Sequence, residues 1–246
     1  MEENFVKNNK KGLKFFIIFF LIACSTYIGS TCYLGYDLYK KATEETNIDD
    51  KITEIKANEN FVSIKNLPKG FLDSIVAIED HRFYKHSGID FISVGRAFLT
   101  NVINDGTPSG GSTITQQLSK NMFFSFEKKY TRKVAEAIVA LKLENKLSKK
   151  EILELYANII YFGNGNYGIK EAANNYFDVE PKNLTLEQSI IIAGLPQAPS
   201  TYKISGENEK TKARVEEVID ALILANYITK DKGNIISNNI NNILEN

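Results

Sequence analysis

The apolar positions of this chain form one long uncharged run near its start and a series of shorter helical stripes after it. Residues 15–36 carry no charge, and a helix of that length can cross the hydrocarbon core of a bilayer. A cleavable signal peptide has a shorter apolar core that ends in small residues, whereas Ile28, Tyr33 and Leu34 interrupt any such ending. The pattern predicts a retained transmembrane anchor, with a buried core helix as the alternative.

The stretches after Phe71 combine a capping residue with apolar side chains three or four positions apart, which is typical of α-helices. The predicted caps are Asp90, Ser112, Thr131 and the capping boxes that begin at Ser148 and Thr185. The stripes that follow the first four caps are Phe91, Val94, Phe98 and Val102; Ile114, Leu118 and Met122; Val134, Ile138 and Leu141; and Ile152, Leu153, Tyr156, Ile159 and Ile160. A short β-like piece over 61–64 and an Asn-rich, frayed end from Gly233 are the predicted exceptions. The fold class is therefore mainly α.

Charge and cysteine usage exclude several classes of protein. The chain of 246 residues has 30 basic and 30 acidic side chains, so it shows no general signal for nucleic-acid binding. Its two cysteines, Cys24 and Cys32, both lie in the apolar run. There is thus neither a disulfide framework nor a thiolate metal site.

The first polar grouping, from Glu79 to Gly88, lies at the end of an apolar helical stretch. A carboxylate in such a position can lie in a cleft and act as a general base. His81 and His86 are five positions apart and miss the i, i+4 spacing of a helical zinc pair. The pattern favours acid–base chemistry over a metal site, with a solvated helix end as the plain alternative.

The second grouping places hydrogen-bonding side chains on the polar face of the helix that follows Gly110 and Gly111. These side chains are Thr113, Gln116, Gln117 and Lys120. The two glycines leave the helix N-terminus open to an anion. Such a face suits a sugar or a phosphate, because a merely solvated face is usually richer in glutamate and lysine.

The third grouping is a run of positive charge from Lys128 to Lys133, with Glu136 after it. Four cations in six residues can clamp a pyrophosphate, although a charge run alone is more often a solvated face. Glu136 lies away from the stripe that contains Val134 and Ile138, so the pattern does not require it to be buried.

The fourth grouping, Asn158 to Gly168, holds three glycines close together. No strand precedes it, as a phosphate cradle would require. It therefore predicts a tight loop.

Taken in order, these groupings resemble the signatures of the peptidoglycan glycosyltransferases, glycosyltransferase family 51. Glu79 to Gly88 is similar to the family's E-D-x-x-F-x-x-H-x-G, and the segment ending at Asn121 to its G-x-S-T-x-T-Q-Q-L-x-K-N. Arg132, Lys133 and Glu136 match the third signature. The fourth signature is matched between Lys150 and Phe177, and the fifth is matched from Ala193 to Ser200. The resemblance extends from about Phe61 to Tyr227. It departs from the family pattern at Ala157, at Lys128 and in the lack of a proline after Tyr202.

The resemblance implies a lysozyme-like helical glycosyltransferase domain with a small membrane-proximal jaw subdomain, preceded by one transmembrane helix. The segments are then 1–14, a cytoplasmic N-terminus; 15–36, the anchor; 37–60, a stalk; 61–230, the glycosyltransferase domain; and 231–246, a polar C-terminal tail. The implied reaction polymerises lipid II into β-1,4-linked glycan strands, with inversion at the donor anomeric carbon and release of undecaprenyl pyrophosphate. Moenomycin inhibits this family at the donor site.

Residue roles follow from the resemblance position by position. Glu79 is the implied general base and Glu136 the second catalytic carboxylate. The implied substrate-binding residues are Arg96, Ser112, Thr115, Gln116, Gln117, Lys120, Asn121, Lys128, Arg132 and Lys133. No organic cofactor is implied; a divalent cation, Mg2+ or Mn2+, is a candidate, with Glu136 as its candidate ligand.

The resemblance also implies partners and a location. The partners are lipid II, the nascent glycan strand, membrane lipid and cell-wall synthesis proteins, with no nucleic acid. The lysines ahead of the anchor predict a single-pass membrane protein with a cytoplasmic N-terminus and an extracytoplasmic domain; they are Lys7, Lys10, Lys11 and Lys14.

Two other functions stay open. A lytic transglycosylase or lysozyme-like hydrolase shares a helical fold and a catalytic glutamate, but it has no use for the cations of Lys120 and Arg132. A catalytically inactive cell-wall scaffold is the second alternative, but it would not require Glu79 and Glu136, and both are present. Ser200 to Lys203 matches the S-x-x-K of a transpeptidase, but no K-T-G follows it, so the sequence predicts a monofunctional enzyme.

Overall fold

The computed structural model describes residues 2–103, 110–124, 130–202, 204 and 209–245. These residues form eleven α-helices, a few 3-10 turns and no β-strand, which confirms the mainly α class. The helices are α1 (Glu2–Glu45), α2 (Ile48–Lys56), α3 (Lys69–Glu79), α4 (Phe91–Ile103), α5 (Ile114–Phe123), α6 (Tyr130–Lys146), α7 (Lys149–Ile159), α8 (Ile169–Phe177), α9 (Leu186–Gly194), α10 (Glu209–Leu224) and α11 (Lys230–Glu245). The β-like piece predicted over 61–64 is wrong, because this segment is irregular and leads into a 3-10 turn at Ile64–Asn66.

Most of the predicted caps are confirmed. Asp90 accepts hydrogen bonds from the backbone N–H groups of Ile92 and Ser93 at the start of α4. The boxes that begin at Ser148 and Thr185 both form, with side chain and backbone bonded in each direction.

Helix α5 begins one residue later than predicted. Thr113, not Ser112, accepts from the backbone N–H of Gln116, and the Gln116 side chain accepts from the Thr113 N–H in return. Ser112 therefore stays outside the helix. The predicted cap Thr131 lies inside α6, which begins at Tyr130.

Two apolar cores form among the residues that the structure describes, and α9 belongs to both. The main core gathers buried side chains from α3 and α5 to α9, with Phe71, Tyr156 and Phe162 among the largest. Ile190 and Ile191 of α9 face the second core, which α10 and α11 complete. Because the residues of α9 from Ser189 to Gly194 are all buried, this part of the helix contacts elements on both of its sides.

The prediction of a frayed end from Gly233 onward is wrong. This segment lies in α11, where Ile236, Ile240 and Leu244 are buried against the second core. The three side chains are spaced four positions apart and so share one face of the helix. The many asparagines between them occupy the other faces and obscure the stripe in the sequence.

Helix α1 contains the candidate membrane span and also packs on the domain. Among the described residues its segment Leu13–Glu45 alone is long and apolar enough to cross a membrane. The second half of the apolar run packs along α6, with Tyr27 and Thr31 lining a groove between the two helices. Gly35 is buried at a close contact between the two helices.

This packing explains which face of α6 is buried in the domain. Val134, Ile138 and Leu141 line an apolar groove shared with α1, so the predicted stripe faces the anchor. The face of α6 that enters the main core instead carries Val139 and Leu143.

Gly35→Leu is expected to push α1 away from α6. The first carbon of a side chain at this position would lie 2.5 Å from Val134 Cβ and 2.7 Å from the carbonyl oxygen of Thr131. Overpacking of this kind costs about 1–3 kcal/mol. Hydrogen exchange of the α6 amides should therefore become faster. Gly29→Leu is the matched control, since nothing lies within 4 Å of the corresponding position on the same helix. Equal exchange in the two variants would contradict tight packing at Gly35.

Candidate active site

A polar cleft of about 410 Å³ opens at the end of α3. It is bordered by the first turns of α4, the approach to α5 and the inner face of α10. Glu79, Ser112 and Arg214 are among its lining residues. The cleft brings the first two predicted groupings to one place.

The Glu79 carboxylate is held from two sides in this cleft. Gln117 Nε2 donates to Glu79 Oε2 at 2.7 Å, and Arg214 Nη2 lies 3.2 Å from Oε1. Only 10% of the Glu79 side chain is exposed, so both contacts are largely shielded from water. A carboxylate fixed in this way can accept a proton from a substrate without reorienting.

Tyr156 extends the network behind Glu79. Its hydroxyl donates to Gln117 Oε1 at 3.2 Å, which leaves the amide nitrogen of Gln117 directed at Glu79. Burial, with the nearby charge of Glu79 adding to it, raises the pKa of Tyr156 well above its ordinary value. The phenol therefore stays protonated as a donor.

Asp80 fixes the point where α3 ends. His86 Nε2 lies 2.9 Å from both of its carboxylate oxygens, and the backbone N–H of Ile114 donates to Oδ2 at 3.1 Å. Burial raises the pKa of Asp80, while its hydrogen bond with His86 acts in the opposite direction. The network ties the end of α3 to the start of α5, and so places Glu79 next to Gln117.

Asp80, His86 and Asp90 are the one grouping among the described residues whose ligand atoms lie close enough to hold a metal ion, within 4.8 Å of one another. Asp90 already bonds Arg82 Nε at 2.9 Å and the Ser93 hydroxyl at 2.7 Å. Burial alone would raise the pKa of Asp90, but the bonds from Ser93 and the charge of Arg82 outweigh it and hold the pKa at about 2. Since a cation and hydrogen bonds already compensate these carboxylates, the grouping fits a structural network better than a metal site.

Glu136 lies completely buried on α6 between two cations. Arg132 Nε is 2.8 Å from Oε1, an ion pair by distance rather than an aligned hydrogen bond, and Lys133 Nζ is 2.6 Å from Oε2. The sequence pattern left the burial of Glu136 open; the residue is buried because the predicted stripe of α6 faces α1 and the opposite face enters the core. In this arrangement a divalent cation at Glu136 would meet two positive charges, so the residues present do not fit the candidate metal.

The cation cluster of Lys120, Arg132 and Lys133 contacts the lining of the cleft at Ser112. Lys133 Nζ donates to the Ser112 hydroxyl at 3.0 Å. Burial lowers the pKa of Lys120, and the charges of Lys133 and Arg132 lower it further, whereas those of Glu136 and Glu79 raise it. Lys120 therefore lies within electrostatic range of both candidate carboxylates.

The other predicted binding residues divide by where their side chains point. Three make bonds within the protein: Thr115 Oγ1 donates to Glu144 Oε1 at 2.6 Å, Gln116 closes the α5 capping box, and Asn121 Nδ2 donates to the carbonyl oxygen of Gln117 at 2.8 Å. Arg96 is exposed on α4 and lines the cleft. Lys128 lies outside the described residues.

Arg214 is the site residue that the sequence analysis missed. It lies on α10, donates through Nε to the carbonyl oxygen of Gly194 at 3.1 Å, and pairs with both Glu79 and Glu217. A signal exists in the sequence, because Arg214 lies one turn before Val218 on the stripe that also carries Leu222. A cation on the apolar face of a helix needs a buried partner.

The sequence has clear relatives. It is 41% identical over 185 residues to penicillin-binding protein 1F of Bacillus subtilis (strain 168), a match that covers 75% of this chain and 26% of the relative. It is 44% identical over 169 residues to penicillin-binding protein 1A of Neisseria flavescens, a match that covers 69% of this chain and 21% of the relative. It is 42% identical over 171 residues to penicillin-binding protein 1A of Haemophilus influenzae, a match that covers 70% of this chain and 20% of the relative.

The chain thus spans about a quarter or less of the length of these curated relatives. The family described as transglycosylase matches residues 47–223, which is most of the chain and includes Glu79, Lys120, Glu136 and Arg214. The chain therefore belongs to the transglycosylase family.

Proposed function

We propose that this chain is a peptidoglycan glycosyltransferase that polymerises lipid II into β-1,4-linked glycan strands at a membrane. The observation that carries the proposal is the position of Glu79, a fixed carboxylate in a cleft that also contains Ser112, to which Lys133 of the cation cluster donates a hydrogen bond. A transfer to a sugar hydroxyl from a pyrophosphate donor needs both groups. The family match supports the same reaction.

In the proposed reaction the 4-hydroxyl of the acceptor lipid II attacks the anomeric carbon of the growing strand. Glu79 takes the hydroxyl proton as the new carbon–oxygen bond forms. The bond from the anomeric carbon to the pyrophosphate breaks at the same time, on the opposite face. A single displacement of this kind inverts the α-linked donor to a β-linked product.

The leaving pyrophosphate gains negative charge as its bond breaks. Arg132 and Lys133 are already held by Glu136 and Ser112, so they need little rearrangement to stabilise that charge. Lys120 lies within electrostatic range of the same carboxylate. Glu136 has the role of keeping Arg132 and Lys133 in place, and this role needs no metal ion. Ser112 would then contact the phosphate or sugar oxygens from outside α5.

Arg214 would act on the reaction through Glu79, as a positioning residue. Arg214→Gln is expected to lower turnover by up to about 100-fold, because a small misplacement of a reacting group can cost that much. Leaving Glu79 without its cation also destabilises the fold, since breaking a buried ion pair costs about 3–5 kcal/mol. Arg214→Lys keeps the charge and should recover more of the stability than of the rate. Thermal unfolding and lipid II turnover of the two variants are measured together. If Arg214→Lys recovers stability and turnover to the same extent, the role of Arg214 is purely structural.

The experiment that tests the function is a pair of assays on the full chain purified in detergent. Labelled lipid II should be converted to polymer, and lipid-free glycan should stay intact. Cleavage of the glycan without polymerisation would assign the chain to the lytic transglycosylases or lysozyme-like hydrolases. Binding of lipid II without turnover would favour an inactive scaffold.

The proposed location is a separate prediction. The four lysines ahead of the anchor favour a cytoplasmic N-terminus, so the domain should lie outside the cytoplasm, where lipid II is polymerised. A periplasmic-type reporter fused after Asn246 should be active, and a reporter that works only in the cytoplasm should be inactive at the same position. Protection of the domain from protease added to wall-stripped cells would reverse this orientation.

A further inference from the structure

A second pocket lies at the end of α3 that is farthest from Glu79. It encloses about 340 Å³ and is bordered by the first turns of α3, α9 and α11 and by the last turn of α10. None of the described residues lines both this pocket and the Glu79 cleft. Because α3 begins at Lys69 and ends at Glu79, about 15 Å of helix separates the pocket from the candidate base. The pocket is therefore distinct from the proposed active site.

The first turn of α3 brings backbone N–H groups to this pocket. Pro68 stands at the N-cap position, and no side chain of the described residues caps the helix there. The N–H groups of Phe71 and Leu72 donate back to the Pro68 carbonyl oxygen at 3.1 and 3.2 Å. The N–H groups of Lys69 and Gly70, which precede this turn and line the pocket, are the ones that a ligand can reach. The positive end of the helix dipole favours an anion at this place.

A buried hydroxyl group without a partner lines the same pocket. Ser189 belongs to α9 and is completely buried, and its Oγ makes no hydrogen bond within the described part of the chain. Buried hydroxyl groups almost always have a partner, and leaving one unsatisfied destabilises a fold. Ser189 therefore points to a ligand independently of the α3 N-terminus.

The rim of the pocket carries more positive than negative charge. Lys69 and Lys232 are exposed there, and Asp73 bonds Lys69. Lys69 Nζ also lies 5.4 Å from the centroid of the Tyr227 ring, which holds the ammonium group beside the pocket. Two cations and one carboxylate leave a single net positive charge. This charge suits a singly charged anion better than a doubly charged phosphate.

The rest of the lining is mostly apolar. Leucine side chains from the approach to α9, from α9 itself and from α10 contribute to it, together with Ile228; the leucines are Leu184, Leu186 and Leu222. An inorganic anion would leave this surface uncovered. A ligand with a carboxylate at one end and an apolar body at the other would match both parts of the pocket.

We propose that this pocket binds a singly charged carboxylate with an apolar body, either a free acid or the C-terminal residue of a peptide chain. The carboxylate accepts hydrogen bonds from the N–H groups of Lys69 and Gly70 and from the hydroxyl group of Ser189. Its apolar body packs on the leucines. The inference does not rest on the proposed function, because no residue of the Glu79 cleft takes part in it.

Binding is tested on the full chain in detergent, with N-acetyl-leucine as the probe. 3-Fluorotyrosine is incorporated at position 227, and the fluorine resonance is recorded while the probe is added. The resonance should shift and saturate, whereas the same label at Tyr167, an exposed tyrosine that packs on Tyr161 outside the pocket, should not move. N-acetyl-leucinamide lacks the charge and should bind at least about 10-fold more weakly. An unmoved resonance at 227, or equal affinity for the amide, would overturn the proposal.

Ser189→Ala separates binding from folding. The free protein loses no hydrogen bond of this hydroxyl group, so thermal unfolding should stay where it is or move slightly upward, while the affinity for N-acetyl-leucine should fall by about 10-fold. Ser119→Ala is the matched control, since its hydroxyl group is also buried without a partner in the described residues but lies on α5, outside the pocket. The control should keep the wild-type affinity. Wild-type affinity in Ser189→Ala would contradict the proposed site.

Two further probes identify the source of the carboxylate, and a third tests its chemistry. A hexapeptide that ends in a free leucine should bind as tightly as N-acetyl-leucine if the pocket takes the end of a chain. If hexanoate binds and the hexapeptide does not, the pocket takes a free acid. Inorganic phosphate should compete poorly with either ligand. Competition by phosphate as strong as that by hexanoate would show a general anion site and would overturn the assignment to an apolar carboxylate.

Discussion

Glu79→Gln is expected to lower lipid II turnover by about 100-fold to 10,000-fold, the usual contribution of a general base. The amide cannot accept the proton of the acceptor hydroxyl. The fold should survive, because the new side chain can still accept the bond from Gln117, and Arg214 keeps its second partner, Glu217, at 2.7 Å. Initial rates and thermal unfolding of the same preparation would be compared with wild type.

Glu217→Gln is the matched control for this experiment. Glu217 pairs with the same arginine, but its side chain is 60% exposed, so its charge is screened by water. Its substitution should leave turnover close to normal. Near-normal turnover in Glu79→Gln would remove Glu79 from the role of base, and an equal loss in both variants would attribute the effect to Arg214.

The helices could be predicted because local signals mark where they begin. The capping boxes at Ser148 and Thr185 are local patterns of four residues, and both form. The sequence pattern predicts the start of α5 one residue too early, because Ser112 and Thr113 are equally good caps in the sequence. The choice depends on Gln116, which lies three residues after Thr113 and closes the box there.

The burial of Glu136 could not be predicted from α6 alone. An apolar stripe identifies a face that is covered, but not what covers it. In α6 the stripe stays partly exposed in a groove beside α1, which is more than ninety residues earlier in the sequence and contacts α6 at Gly35. The face with Glu136 is buried instead by the domain, where Arg132 and Lys133 compensate its charge.

Arg214 shows the same limit for the candidate site. It lies 135 positions from Glu79, and its neighbours on α10 include several charged residues that are typical of a solvated helix. Only the packing of α10 on α3 and α9 brings the guanidinium to the carboxylate. Residues within one signature, such as Gln117 and Lys120, could be found by pattern, whereas a partner supplied by a distant helix required the fold.

Lys120→Ala is expected to reduce turnover by on the order of 100-fold or more, which is typical for the loss of one charge contact in a transition state. Lys120 lies within electrostatic range of both carboxylates, so its loss would remove a positive charge from the proposed site of the leaving pyrophosphate. Stability should change much less than the rate. Lys120→Ala should also weaken inhibition by moenomycin, if that inhibitor occupies the donor site.

Two comparisons separate this role from a general effect of charge. Lys146, also on α6, forms an ion pair with Asp49 in which Nζ lies 2.5 Å from Oδ1, and neither residue lines the cleft. Lys146→Ala should therefore leave turnover near normal. Lys120→Arg keeps the charge but changes its shape, and should recover only part of the lost rate. Full turnover in Lys120→Ala would exclude it from the reaction.

The pH dependence of turnover distinguishes lysine from arginine at this position. Burial lowers the pKa of Lys120, with Lys133 and Arg132 adding to the shift and Glu136 and Glu79 opposing it. As pH rises through this lowered pKa, the ammonium loses its proton and its charge, so wild-type turnover should fall at a lower pH than an ordinary lysine would give. In Lys120→Arg the guanidinium stays charged, and the alkaline fall should move to higher pH even though the maximal rate is lower. An alkaline limb that is identical in the two proteins would mean that another group sets it, and that Lys120 does not act through its charge.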